Sequence, residues 1–173
     1  MKKPKSFLMA YILSGLILSA CEGGSDDVYE SPQNIQVIKE FSNSKGEVLK
    51  FNVKAKDWRS VSGTDRFVKI SVPAITDSVM KHGLVIIYLN EAGKNISLPF
   101  TYYQVRRAMS FQPSYEKGYA YVNVLGNFIL NTSTSYTFRI FVLNPTTLKQ
   151  FKQINWYNFD QAMLVMNSKG ERN

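Results

Sequence analysis

The sequence predicts an all-β fold, namely a single antiparallel β-sandwich domain with a short helix near its C-terminus. Three observations support this prediction. Val, Ile, Thr, Phe and Tyr, which favour strands, are plentiful after residue 20, whereas Ala is sparse. Several segments alternate apolar and polar side chains with a period of two. Gly, Asn, Ser and Pro separate these short segments, as turns do in a sandwich.

The alternating segments are the predicted half-buried strands. Apolar and polar residues alternate without a break over residues 49–56, and Val68, Ile70 and Val72 alternate with polar neighbours. Further strands are predicted at residues 96–103, 106–111, 119–125 and 136–143.

One segment has a different pattern. Residues 84–89 form a continuous apolar run of strand length, which predicts a central strand that is buried on both faces and is the most buried strand of the domain. Residues 158–166 fit a short helix that begins at a polar capping residue, and a last edge strand is the alternative.

The N-terminus has the pattern of a secretion signal. Lys2, Lys3 and Lys5 precede an uncharged, mostly apolar run over residues 7–20. This run is too short for a membrane-spanning helix, which needs about 20 residues. A basic start, a short apolar run and small residues at its end therefore predict a signal peptide at residues 1–20.

The end of that run resembles the lipobox of bacterial lipoproteins. In Leu18-Ser19-Ala20-Cys21, a leucine stands three positions before the cysteine and small residues stand between them. The resemblance implies that the Cys21 thiol receives a diacylglyceryl group, that signal peptidase II cuts before it, and that acyl chains such as palmitate anchor the protein to the membrane. The alternative is an ordinary secretion signal with an incidental cysteine. Cys21 is the only cysteine, so no disulfide is expected.

Residues 21–34 are predicted to be a flexible acidic tether, which leaves residues 35–173 as the β-sandwich domain. The tether is rich in Gly, Ser and Pro and carries four acidic residues and no basic one. The signal contains three of the 21 basic residues, so residues 35–173 contain 18 basic and 9 acidic side chains. The acids Asp26 and Asp27 resemble the export signal of Bacteroidota surface lipoproteins, which implies an outer-membrane protein at the cell surface. If the tether is a plain spacer, the periplasmic face is the alternative location.

Roughly residues 50–165 resemble small, uncharacterised β-rich lipoproteins of the Bacteroidota. The resemblance rests on Trp58, on Pro73-Ala74-Ile75-Thr76, on the G-x-V-x-x-Y pattern at residues 83–88 and on Leu98-Pro99. These motifs are structural, and the family implies no activity.

Few residues could carry metal or catalytic chemistry. His82 is the only histidine and lies in a predicted turn, and Cys21 is expected to carry lipid, so a zinc site of His and Cys ligands is not expected. Neither a nucleophile elbow nor a phosphate-binding loop occurs. The sequence therefore predicts no metal, no cofactor and no enzyme, and a hydrolase remains the weakest alternative. The carboxylates that could serve in a hydrolase active site are Asp57, Asp65, Asp77, Glu91, Glu116 and Asp160.

Aromatic residues give the strongest argument for binding. Exposed Trp and Tyr side chains stack on sugars and anchor protein partners, so Trp58, Tyr102, Tyr103 and Trp156 are candidate contacts for a glycan or an envelope protein. Core packing is the alternative for each of them. Four further rings belong to the same set, namely Tyr115, Tyr119, Tyr121 and Tyr157.

Two more patterns have a functional interpretation. Lys50, Lys54, Lys56 and Lys69 stand at polar positions of predicted strands, which predicts one cationic face or, alternatively, solvated charges. Nucleic acid is not an expected partner outside the cytoplasm. Asp77-Ser78-Val79 resembles the acceptor pattern of Bacteroidota protein O-glycosylation, which makes Ser78 a candidate glycosylation site.

The sequence therefore predicts a membrane-anchored envelope lipoprotein that is a non-catalytic binding module for glycan or protein. A structural subunit of an envelope assembly is the main alternative.

Overall fold

The computed structural model describes residues 35–128, 130 and 135–168. The predicted signal peptide, Cys21 and the acidic tether lie outside the described residues.

Two antiparallel five-stranded sheets make up most of the described chain. Sheet A has the strand order β1-β2-β10-β5-β6, and sheet B has the order β3-β4-β9-β8-β7. This arrangement confirms the predicted β-sandwich. The strands of sheet A are β1 (Val37–Asn43), β2 (Gly46–Val53), β5 (Leu84–Glu91), β6 (Lys94–Ser97) and β10 (Tyr136–Leu143). Those of sheet B are β3 (Arg59–Ser60), β4 (Arg66–Ser71), β7 (Phe100–Gln104), β8 (Arg107–Glu116) and β9 (Tyr119–Gly126).

Short helices complete the described fold. They are α1 (Asp77–His82), α2 (Pro145–Gln150) and α3 (Phe159–Asn167), with a 3₁₀ turn at Ala55–Asp57. Helix α3 confirms the predicted C-terminal helix and rules out the alternative edge strand. Its first turn is capped by Asn158, whose side chain accepts a hydrogen bond from the Gln161 amide. No helix in the described part of the chain is long and apolar enough to cross a membrane.

The main core lies between the two sheets. Alternate residues of β2 and β10 point toward sheet B, and the rings of Phe51 and Phe138 stack there with centroids 5.3 Å apart. Val68 and Ile70 of β4 pack against them from sheet B and are fully buried. The period-two pattern of these strands is therefore the pattern of a core shared by both sheets.

A second core covers the outer face of sheet A. Tyr88 and Phe141 point away from sheet B and pack on Phe159 of α3, with ring centroids 5.2 and 5.8 Å from it. The Tyr88 hydroxyl donates a hydrogen bond to the Trp156 carbonyl, so a fully buried polar group has a partner. The molecule therefore has three layers, with sheet A in the middle.

The three-layer arrangement explains the continuous apolar run of residues 84–89. Ile87 and Leu89 face the main core, whereas Ile86 and Tyr88 face the helices, so both faces of β5 are buried as predicted. The central strand of the sheet is nevertheless β10, in which five of eight residues are buried, against four of eight in β5. Arg139 interrupts the apolar pattern of β10, and its ion pair with Glu40, 2.8 Å long, compensates the charge.

Two strands of the structure have bounds that differ from the predicted ones. The strand predicted at residues 96–103 is split, because β6 belongs to sheet A and β7 to sheet B. Pro99 has no amide hydrogen for a ladder, and the chain passes between the sheets at Leu98 and Pro99. The strand predicted at residues 49–56 ends at Val53, where the 3₁₀ turn begins and the Lys54 amide donates to Asp57.

Lys45, in the turn between β1 and β2, connects this turn to α3 through hydrogen bonds. Its side chain is buried, and its ammonium donates to the Val165 carbonyl at 2.7 Å and to the Ser168 carbonyl at the end of the helix. A cation at a helix C-terminus also interacts favourably with the helix dipole. Thr147 of α2 donates to the Lys45 carbonyl at 2.7 Å, so the same turn positions both helices of the third layer.

The buried outer face of sheet A can be tested with one substitution at two sites. Ile86→Asp should lower the free energy of unfolding by several kcal/mol, because it places an unpaired carboxylate between the sheet and α3. That is a large part of the stability of a domain, which is about 5–15 kcal/mol. Ile38→Asp on edge strand β1 is the matched control and should cost under about 1 kcal/mol, since Ile38 is 45% exposed. Urea denaturation of the full-length chain in mild detergent measures both values, and equal losses would contradict the three-layer packing.

Candidate functional site

A cleft of about 260 Å³ opens at one end of the sandwich, between the two sheets. The hairpin of β7 and β8 forms one wall, and the ends of β5 and β10 form the other. The described residues that line it are Leu89, Glu91, Phe100, Tyr102, Gln104, Met109, Phe111, Phe128 and Tyr136. Five of these nine side chains are aromatic, so the lining suits a ligand with an apolar face.

The pairing of β7 with β8 produces this lining. Phe100 pairs with Phe111 and Tyr102 with Met109, and these residues all face the interior of the sandwich. Burial decreases toward the tip of the hairpin. Phe100 is half-buried and Tyr102 is 38% exposed. The cleft is therefore the solvent-exposed continuation of the main core.

The floor of the cleft is a set of packed rings. Phe111 lies 5.6 Å from Tyr136 and 6.2 Å from Phe138, measured between ring centroids. The Trp58 ring packs edge-to-face on the Tyr136 ring, with the two ring centroids 6.0 Å apart. Such contacts fix ring orientation, so the floor is formed before any ligand arrives.

Polar groups stand around this apolar lining. The Gln104 amide donates to the Tyr102 hydroxyl at 3.3 Å. Burial, with the nearby carboxylate of Glu91, raises the pKa of the Tyr136 hydroxyl, which therefore stays protonated at neutral pH. Glu91 supplies acceptors, Tyr136 supplies a donor and Gln104 supplies both. The arrangement can orient a small polar ligand against aromatic rings.

The structure separates the four predicted contact aromatics. Tyr102 lines the cleft, and Tyr103 points away from it with 77% of its surface exposed. Trp58 and Trp156 are 8% exposed, and each packs in one of the two cores. The prediction that these two tryptophans contact a ligand is therefore wrong, because core packing uses their rings.

Sequence reasoning missed Phe100, Gln104 and Phe128 as lining residues. Phe100 and Gln104 share a strand face with Tyr102, so a period-two reading from Tyr102 would have found them. Phe128 carries no such signal, because it follows β9 in a connection.

The other predicted residues lie elsewhere. Ser78 is exposed in α1 beside Asp77, and its glycosylation stays a prediction, whereas Cys21 lies outside the described residues. His82 is exposed at the end of α1. Within the described residues, His, Cys, Asp and Glu form no group of three that could bind a metal.

The prediction that Lys50, Lys54, Lys56 and Lys69 form one cationic face is wrong. Lys50 points outward from sheet A, whereas Lys69 points outward from sheet B on the opposite side of the sandwich. Lys54 and Lys56 are exposed around the 3₁₀ turn, beyond the end of β2. Alternation along a strand predicts which residues are polar but not which sheet the strand joins.

Lys69 is instead part of a compact polar cluster on the outer face of sheet B. Its ammonium lies 3.1 Å from a Glu116 oxygen and 4.1 Å from the centre of the Tyr119 ring. The Tyr121 hydroxyl donates to the same carboxylate. Hydrogen bonds from Tyr121 and Lys69 lower the pKa of the Glu116 carboxyl group. The pKa of Lys69 is raised, mainly by its hydrogen bond with Tyr121 and to a smaller extent by its hydrogen bond with Glu116.

This cluster predicts an acid-dependent part of the stability. Because the pKa of Glu116 is lowered on folding, its contribution is complete above about pH 4.5, the ordinary value for the group, and is lost as pH falls through the lowered pKa. In Glu116→Gln, we expect the free energy of unfolding to depend less on pH below 4.5 than in the wild type. Tyr121→Phe should have a smaller effect of the same sign. Urea denaturation across this pH range makes the measurement, and identical slopes in Glu116→Gln and wild type would contradict it.

No protein-family model, no curated protein and no solved structure matches the chain.

Proposed function

We propose that this chain is a lipid-anchored binding protein of the bacterial outer membrane, and that its cleft binds a terminal or side-branch unit of a glycan. The observation that carries the proposal is the aromatic lining of the cleft, with polar groups at its edge. Anchoring follows from the lipobox at residues 18–21 and the resemblance of the tether to bacterial export signals.

The cleft has the chemistry of a sugar site. Sugar rings present C–H groups on one face, which pack on aromatic rings, and hydroxyl groups around the edge. Tyr102 and Phe128 offer ring surfaces, and Glu91 and Gln104 offer acceptors and a donor for hydroxyls. The volume of about 260 Å³ is slightly below that of typical ligand pockets, which start near 300 Å³. A single small unit therefore fits better than an extended chain.

One observation favours a protein partner as the second candidate. The tip of the β7–β8 hairpin exposes Tyr103 at 77% and Val105 at 90%. β7 is also an edge strand of sheet B. Apolar side chains next to an open strand edge support strand pairing with another protein, which agrees with the alternative of a structural envelope subunit.

Replacing Tyr102 tests the cleft. We expect Tyr102→Ala to weaken binding of a neutral mono- or disaccharide roughly tenfold, or about 1.4 kcal/mol, because the variant removes a stacking ring. Tyr157→Ala is the matched control, since Tyr157 is 60% exposed but belongs to the helix layer. Saturation-transfer NMR with a saccharide panel identifies the ligand, and titration calorimetry gives the affinities. If no saccharide binds, or if both variants bind equally, the cleft is not a sugar site.

Replacing Cys21 tests the anchor. Cys21→Ala should abolish incorporation of radiolabelled palmitate and leave uncleaved precursor in the inner membrane, because Cys21 is the only thiol in the chain. Wild-type chain expressed in the same cells is the control. Normal palmitate incorporation into the variant would contradict the proposal of a lipoprotein.

A further inference from the structure

Sheet B has an outer face that the described helices leave uncovered. Helices α2 and α3 bury Val48, Ile86, Tyr88, Phe141 and Leu143 on the outer face of sheet A, whereas the outward positions of β8 and β9 are mostly polar. Four of the five strands of sheet B contribute most of this face, and all their residues are described. By strand register, the outward side chains are Phe67, Lys69 and Ser71 of β4; Thr101 and Tyr103 of β7; Ala108, Ser110, Gln112, Ser114 and Glu116 of β8; and Tyr119, Tyr121, Asn123 and Leu125 of β9. Phe67 and Tyr121 are nevertheless buried, so the accessible part of this face lies mainly along β8.

Hydrogen bonds between these side chains fix their positions. The Asn123 amide donates to the Ser114 hydroxyl at 2.9 Å and to the Gln112 carbonyl at 3.3 Å. The Thr101 hydroxyl donates to the Ser110 hydroxyl at 3.2 Å. Together with the cluster of Lys69, Glu116 and Tyr121, these contacts connect all four strands. The polar groups are therefore oriented in advance, which lowers the entropic cost of binding a ligand.

The charge of this face identifies the kind of ligand. Lys69 and Glu116 are the only charged side chains among the outward residues of the four strands, and they compensate each other at 3.1 Å. β3 adds Arg59 at the far edge of the sheet, where it pairs with Phe67. The formal charge of the face is therefore only +1, although the whole chain has a formal net charge of +8. A polyanion would require several uncompensated cations, which the outward residues of these four strands do not supply.

The shape of the face is a shallow track. A hollow of about 370 Å³ lies between β4, β8 and β9, lined by Lys69, Ser114, Tyr115, Glu116, Tyr121 and Asn123. From Glu116 the polar side chains continue along β8 to Ser110, a length of roughly 20 Å at about 3.4 Å per residue. A track of this length accommodates several consecutive sugar units.

We infer that the outer face of sheet B binds a neutral polysaccharide chain lying along β8, with Glu116 and Asn123 hydrogen-bonding to its hydroxyls. A carboxylate with a compensated charge is a strong acceptor, and an amide is both donor and acceptor, which is the combination that vicinal hydroxyls require. This site shares the glycan-binding role proposed for the cleft but none of its residues.

Affinity electrophoresis of the full-length chain in non-ionic detergent tests the site. The gels contain dextran, galactomannan, xylan or mixed-linkage β-glucan, and polygalacturonate serves as the anionic comparison. We expect at least one neutral polysaccharide to retard the wild type. Glu116→Gln and Asn123→Ala should each weaken that retardation roughly five- to tenfold.

Two variants on sheet A are matched controls and should migrate like the wild type. Glu47→Gln removes one ion pair, the one with Lys39, as Glu116→Gln removes the one with Lys69. Asn52→Ala removes an amide that contacts a hydroxyl of the neighbouring strand, as Asn123→Ala does. Circular dichroism establishes that all four variants are folded.

Three results would overturn the inference: no retardation by any neutral polysaccharide, retardation by polygalacturonate alone, or equal retardation of the variants and the wild type. Tyr102→Ala distinguishes the two sites. If it abolishes retardation while Glu116→Gln and Asn123→Ala do not, the polysaccharide binds in the cleft, and the track along β8 is wrong.

Discussion

Burial of sheet A on both faces is the constraint on which the rest of the structure depends. Its inward side chains share a core with sheet B, and its outward side chains pack on α3 through Tyr88 and Phe141. The buried Tyr88 hydroxyl donates to the Trp156 carbonyl, and the buried Lys45 ammonium donates to carbonyls of α3. A buried polar group without a partner costs free energy, so these bonds fix where the helix layer can lie on the sheet.

This constraint divides structural roles from binding roles. Sheet A and its helices use most of their apolar and aromatic side chains for packing, and the two tryptophans, which lie in connections, are buried in the two cores. Sheet B has one face in the core, and on its other face the polar side chains Gln112, Ser114 and Glu116 of β8 are exposed to solvent. The cleft lies where the core ends, and there Tyr102 and Phe128 remain accessible. Both proposed binding sites depend on the same asymmetry between the two sheets.

Much of the candidate site could not have been found in the sequence, although its residue types could. The aromatic excess pointed to binding, and Tyr102 was among the four predicted contacts. Trp58 and Tyr102 look equally suitable in the sequence, but Trp58 packs edge-to-face on Tyr136 inside the molecule. Lys69 and Glu116 are 47 positions apart and become a pair only because β4 and β8 both flank β9. No local pattern encodes which strands become neighbours.

The sequence by itself determined the fold class, most of the strands and the C-terminal helix, because side-chain alternation and capping are local properties of the chain. It also predicted that both faces of residues 84–89 are buried. Only the tertiary structure decided what covers those faces, that β6 and β7 belong to different sheets, and that β10 is the central strand of sheet A. These features depend on contacts between residues far apart in sequence, since packing, charge compensation and the shape of a cleft arise only when distant strands meet.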